Sequence, residues 1–168
     1  MRHSLAELLE GFEDSAFRVE ARPTYSVPAE AVALSRFKKE EPLPQNLNAD
    51  WVRTVQEACK RDAKVQRLRV LSDPPTFYER FETEAAYRPG ITAGEEIRTI
   101  PRRDLEDTED FWVFDRTWFV TMQYNENGEF LGARVERLRL WRRPLWKRAK
   151  YWRRKFDRAN PMRCPVGA

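Results

Sequence analysis

Histidine is nearly absent from this chain of 168 residues: His3, close to the N-terminus, is the one copy. Nucleophilic Ser or Cys systems need a base to take the proton, and an isolated His3, expected on solvated surface, is a poor one. Cysteine is scarce as well. Cys59 falls in a helical pattern and Cys164 in the last five residues. Two Cys and one His have no zinc-site spacing. Free thiols in a reducing compartment are expected rather than a disulfide. Glycine is sparse, at 6 residues, and no Walker loop or dinucleotide fingerprint occurs. No apolar run reaches the roughly 18 residues of a membrane helix. The N-terminal MRHSLAELLEGFED lacks the apolar core and small-residue cleavage site of a signal peptide. The ending CPVGA does not match a prenylation box. The expectation is a cytoplasmic protein with no cofactor and no metal.

Charge is plentiful and unevenly placed. Residues 134–168 hold 13 Lys/Arg and 2 Asp/Glu; residues 1–133 hold 18 Lys/Arg and 25 Asp/Glu. An acidic body thus precedes a basic tail, behind a net charge of only +4. Hydrophobic residues at 41% and aromatics at 12% exclude wholesale disorder. The length fits one domain with a substantial core.

The clearest structure lies in Asp110 to Val135. Trp118, Val120, Met122 and Tyr124 alternate with Phe119, Thr121 and Gln123, the period of a strand. Asn127-Gly128 can supply the positive φ angles of a tight hairpin turn. Phe130, Leu131, Ala133 and Val135 begin the return strand. Phe111 to Phe114 is a short strand upstream, turned by Asp115-Arg116. These aromatics are either sheet core or a stacking platform for bases.

Earlier segments read as alternating helices and strands. Ser4 to Glu7 has capping-box spacing before Leu5, Leu8, Leu9 and Phe12. Phe17 to Glu20 alternates like a short strand. Pro28 suits the first turn of a helix carrying Ala31, Leu34 and Phe37. Asn48 is the expected N-cap of a third helix, with Trp51, Val52, Val55, Ala58 and Cys59 on one stripe. Val65 to Leu71 is a strand with Arg67 and Arg69 on one face. A helix follows from Asp73-Pro74-Pro75-Thr76 and is expected to end at Pro89-Gly90. Glu96 to Ile100 is a short strand.

Carboxylates abound: Glu79, Glu82, Glu84, Glu95, Glu96, Asp110 and Asp115. Glu79 and Glu82, at i and i+3, share a helical face. With Asp110 or Asp115 they could serve as an acid/base pair or hold a divalent metal. Alternatively they pair with Arg67, Arg69, Arg80 and Arg98 at the sheet edge. The expected polar cleft, at strand ends, comprises Arg67, Arg69, Tyr78, Arg80, Glu82 and Arg98. An enzyme or a small-molecule sensor would fit it equally.

The tail is sharper. From Pro144 onward, helical spacing puts Leu145, Ala149, Trp152 and Phe156 on one stripe. Arg142, Arg143, Trp146, Lys147, Arg148, Lys150, Trp152, Arg153, Arg154 and Lys155 are the candidate binding residues. Three readings stand open. The tail contacts nucleic acid, through phosphates and stacked bases. It lies on an anionic membrane surface. Or its apolar stripe packs on the domain while its arginines pair with the acidic body.

Six motifs in order carry a family resemblance: residues 15–20 (SAFRVE), 65–70 (VQRLRV), 77–82 (FYERFE), 93–98 (AGEEIR), 110–115 (DFWVFD) and 128–133 (GEFLGA). Together they resemble the actinobacterial domain-of-unknown-function family 6879, over roughly residues 12–135. The family has no established catalytic residues. Its members are often encoded near helix-turn-helix regulators, so the resemblance implies a regulatory role with such a regulator as partner. The basic tail departs from the usual family ending. The element order also looks like half of a phospholipase-D-like domain, but the His-x-Lys motif of that class is missing.

The expected fold is therefore α/β: a single domain with a small mixed sheet flanked by helices, a C-terminal β-meander and a basic helical tail. Residues 1–135 form the α/β domain and 136–168 the tail. The expected function is a non-enzymatic accessory or regulatory protein binding nucleic acid or an acidic partner protein through the tail. The alternatives are the cleft as sensor or enzyme, and peripheral membrane attachment.

Overall fold

The computed structural model describes residues 3–105, 108–138 and 143–163. The chain is mixed α/β, built on one seven-stranded sheet in the order β6-β5-β4-β1-β2-β3-β7. Strand β1 (Ser15–Glu20) is central, parallel to β2 (Lys64–Leu71) and antiparallel to β4 (Phe111–Phe114). Strand β3 (Glu96–Pro101) runs parallel to β2. Strands β5 (Trp118–Tyr124) and β6 (Phe130–Arg137) complete the antiparallel meander. The last strand, β7 (Asn160–Pro161), pairs with the outer edge of β3.

Alternation along β1 and β2 divides the two faces. Phe17, Val19, Leu68 and Val70 point to one core, together with Ile100, Phe111 and Phe119. Helix α6 (Arg143–Arg158) covers that core with Leu145, Trp152 and Phe156, which are 9%, 2% and 1% exposed. Ala16 and Val65 point the other way, under α1 (Leu5–Gly11) and α3 (Ala49–Lys60). A third core gathers Tyr25, Tyr78 and Phe81 with α2 (Ala31–Lys38) and α4 (Phe77–Phe81). The Phe17 and Phe156 rings meet edge-on at 5.5 Å, so β1 and α6 pack directly. No described helix is long and apolar enough to cross a membrane.

Local signals explain most boundaries. The Ser4 capping box forms as its spacing predicts, Glu7 N donating to Ser4 Oγ and Ser4 N to the Glu7 carboxylate. Asp115 and Arg116 both take positive φ, 50° and 52°, and turn β4 into β5. Three details differ from expectation. Gly128 alone in the Asn125–Gly128 turn has positive φ, at 80°. A Cβ there would meet the Thr24 carbonyl at 2.8 Å, so the position needs glycine for space as well. Asn48 sits in the left-handed region at φ 59° and caps nothing with its side chain; its Nδ2 donates to the Ala86 carbonyl at 3.0 Å. Pro89-Gly90 does not end helix. The chain passes from α4 through a π-helical segment, Glu82–Ala86, into α5 (Arg88–Ala93), which ends at Gly94 with φ 117°. Pro89 lies in the first turn of α5, where its missing N–H costs no hydrogen bond.

Candidate functional site

Two regions hold the residues singled out by the sequence, on opposite faces of the sheet. The first is a cavity of about 330 Å³ beside the C-terminal ends of β1 and β2. Parallel pairing sets Arg18 beside Arg67 and Glu20 beside Arg69. These four long side chains project from the face opposite α6, between the sheet and the helices that follow β2.

They are bonded within one network, although the buried Arg18 Nη1 has no acceptor among the described residues. Arg67 donates to Glu20 at 2.6 Å and to Glu95 at 2.7 Å. The Trp51 indole donates to the other oxygen of Glu95 at 2.7 Å. The Tyr87 hydroxyl donates to Glu20 at 2.6 Å. Arg69 is 0% exposed. Its Nε and Nη2 reach Glu82 Oε2 at 2.8 and 2.5 Å, and Nη1 donates to the Arg22 carbonyl at 2.7 Å. Arg18 donates to the Tyr124 hydroxyl at 3.0 Å and to Asp110 at 3.3 Å, with its guanidinium over the Trp112 ring. Tyr25 also donates to Asp110.

Electrostatics follow from burial and pairing. Burial opposes ionisation of Glu20, but Arg67, Arg18 and Arg69 outweigh it and hold the carboxyl down at about 2. Burial pushes Glu82 up to about 8, an effect that Arg69 only partly offsets and that Glu20 reinforces. Burial also raises Tyr25, Tyr78 and Tyr87 above the ordinary phenol value, so they remain neutral donors.

Of the expected cleft residues, Arg67, Tyr78 and Glu82 line the cavity, and Arg69 is buried behind Glu82. Arg80 lies away from it, paired with Glu84 at 3.3 Å on exposed surface. Arg98 is on the opposite face. It donates to the Phe156 and Asp157 carbonyls at 3.2 and 3.1 Å and so holds the C-terminal end of α6. The carboxylates are largely committed. Glu79 accepts from Ser72 N, Ser72 Oγ and Thr76 N; Asp115 accepts from Glu13 N, Asp14 N and Ser15 N. Among the described residues no group of His, Cys, Asp and Glu could hold a metal. The sequence reading left out Glu20, Tyr25, Glu30, Trp51, Tyr87 and Tyr124. The alternation in Phe17–Glu20 was the available signal for Glu20. His3 packs against Trp118, ring centroids 4.5 Å apart.

The second region is α6. Trp152 and Phe156 belong to the core, which removes Trp152 from the candidate binding surface. The cations divide by angle around the helix. Arg148 pairs with Glu109, Arg153 with Gln66 and Asp157, and Lys155 with the Asp104 carbonyl. Lys147, Lys150, Arg154 and Arg158 are exposed on the side opposite the apolar stripe. Lys150 stands over the Trp146 ring at 4.8 Å. Among the described residues, Lys147, Arg154 and Arg158 have neither ion pair nor hydrogen bond. Trp146 is 44% exposed. Arg143 opens the helix, and Arg142 lies outside the described residues.

The family model for the domain of unknown function DUF6879 matches residues 3–155. The chain belongs to the DUF6879 family. The match runs well past residue 135 and takes in most of α6, so the basic helix is part of the family domain. The resemblance expected over residues 12–135 thus extends further in both directions. No curated protein matches the chain. Among solved structures, a similar one is TrmBL2, an archaeal chromatin protein whose structure shows a novel mode of DNA binding. Identity is 14% and the TM-score 0.44, with 92% of this chain and 47% of that chain covered. This DUF6879 chain therefore spans about half the length of that protein.

Proposed function

We propose that this protein is a non-enzymatic accessory protein that binds nucleic acid through the outer face of α6. One observation carries the reading: Lys147, Lys150, Arg154 and Arg158 form an exposed row on the helix side facing away from the core, and three of them have no ion-pair or hydrogen-bond partner among the described residues. Side chains three and four residues apart on a helix stand about 5–6 Å from one another. The row therefore extends over about 16 Å, long enough to follow several phosphates. Trp146, beside Lys150, offers one exposed ring for a base.

The same geometry speaks against the other tail readings. A membrane-surface helix needs its apolar face for lipid, and here Leu145, Trp152 and Phe156 are buried against the sheet. Among the described residues the acidic body neutralises Arg148 alone, through Glu109; Arg153 pairs with Asp157 of α6 itself, and Lys155 bonds to the Asp104 carbonyl. An acidic protein partner would require an apolar centre in its interface, and the row carries only Trp146. A cytoplasmic protein acting beside a helix-turn-helix regulator is consistent with this reading.

The test is fluorescence anisotropy with a labelled duplex and a labelled single strand of about 20 nucleotides, long enough to cover the row. Lys147→Glu/Arg154→Glu should abolish binding and leave the melting temperature unchanged. Undiminished affinity would overturn the proposal. Binding of a poly-Glu peptide in preference to both nucleic acids would move the site to an acidic protein partner.

A further inference from the structure

The cavity on the other face plays no part in nucleic-acid contact, yet it is a built chamber. Its rings meet edge to face: Tyr25 meets Tyr78 at 6.0 Å and 61°, and Tyr124 at 5.2 Å and 62°. Trp51 and Tyr87 add further walls, and half-exposed Phe130 and Val27 form the mouth. Four carboxylates line it, Glu20, Glu30, Glu82 and Glu95, against one guanidinium, Arg67. Arg18 and Arg69, set behind the walls, complete the pairing of Glu20 and Glu82. Glu30 is left over. No guanidinium or ammonium pairs with it among the described residues; its bond is from the Tyr78 hydroxyl at 2.6 Å.

We propose that this cavity binds a small organic cation, a primary ammonium or guanidinium on a short apolar stem. The charge sits against Glu30 and the tyrosine faces, and the stem lies under Phe130 and Val27. Aromatic faces attract cations through their quadrupoles, most strongly where water is excluded. The volume suits a small molecule. An anion would face the surplus carboxylate, and a neutral ligand would leave Glu30 without a counter-charge. Glu30 also behaves as a carboxylate lacking its cation. Burial raises it above its ordinary value, the Tyr78 hydroxyl bond and Arg67 oppose that, and Glu20 adds to it. An ammonium beside it would oppose that rise.

The test uses the full chain, calorimetric titration and thermal melting. The probes are phenethylammonium, agmatine and tetramethylammonium, with 2-phenylethanol as the neutral counterpart of the first. Phenethylammonium should bind and raise the melting temperature, and 2-phenylethanol should bind at least about tenfold more weakly. Glu30→Gln, whose amide oxygen can still accept from Tyr78, should weaken phenethylammonium about tenfold without lowering the melting temperature of the free protein. The isostere comparison needs no variant, so it stands even if Glu30→Gln folds poorly. Equal binding of the alcohol would overturn the proposal. So would unchanged affinity in Glu30→Gln, or no response to any of the three cations at about 10 mM.

Discussion

On the cleft side of the sheet, every nitrogen of Arg69 has an acceptor: Glu82 for Nε and Nη2, backbone carbonyls for Nη1. On the outer side of α6, Arg154 has none among the described residues and is exposed. The two residues are chemically identical, and both stand out in a sequence rich in arginine. Burial separates their roles. A guanidinium taken out of water must be fully bonded, so Arg69 belongs to the fold. A solvated one keeps its donors for a ligand. The charge asymmetry between body and tail thus understates a finer division, which runs within α6 itself. Arg148, Arg153 and Lys155 are tied to the body, while Lys147, Arg154 and Arg158 have no such tie among the described residues.

The largest effect should come from breaking the buried side. Arg69→Met strips the buried Glu82 carboxyl of both its guanidinium donors and should cost about 3–5 kcal/mol by chemical denaturation. Adding Glu82→Leu should return much of that loss, because an apolar pair of similar volume can replace a buried hydrogen-bonded polar pair. If Arg69→Met alone were neutral, the structural role of the pair would be wrong.

Next in size is Phe156→Ala. It opens a cavity between α6 and β1 at a residue 1% exposed, at a cost of about 3–5 kcal/mol at most sites of this kind. Nucleic-acid affinity should fall with it, because the basic row is held in place by that packing. Loss of stability with full affinity would show that the row binds without the sheet behind it.

The pH dependence should be smaller and specific to the cleft. Glu82 keeps its proton in the fold up to about 8, against 4.5 for the free group, so the folded state holds more protons between those values and stability falls as pH rises through them. Glu20 has the opposite sign: held at about 2, it contributes stability above 4.5 that is lost as pH falls towards 2. Melting temperatures recorded between about pH 5 and 8 should decline for the native chain and flatten in Glu82→Gln. A parallel decline in both would assign the fall to another group.

Much of the architecture was legible because hydrophobic period and turn residues act locally. The meander, the Ser4 capping box and the Arg67/Arg69 face all follow from spacing over a few residues. The cleft was legible in part. Arg67, Arg69, Tyr78 and Glu82 come together because β2 and the helix after it are neighbours in sequence. Glu20 and Tyr124 reach the same place only through strand pairing across β1, β4 and β5, and Tyr25 through the segment that follows β1; no local pattern encodes this. Arg98 was misplaced by one step of alternation. At period 2, a residue shifted by one position lands on the other face, where it holds α6. The continuation of helix through Pro89 was hidden because proline marks a helix start as readily as a stop.

The salt dependence of nucleic-acid binding tests the central claim most directly. With Lys147, Lys150, Arg154 and Arg158 each meeting a phosphate, the logarithm of the duplex association constant should fall against the logarithm of salt concentration with a slope of about −3.6. Lys147→Glu/Arg154→Glu should leave no measurable binding. Arg154→Ala should reduce the slope by about one unit with no change in melting temperature. A flat salt profile, or a slope untouched by Arg154→Ala, would contradict the account.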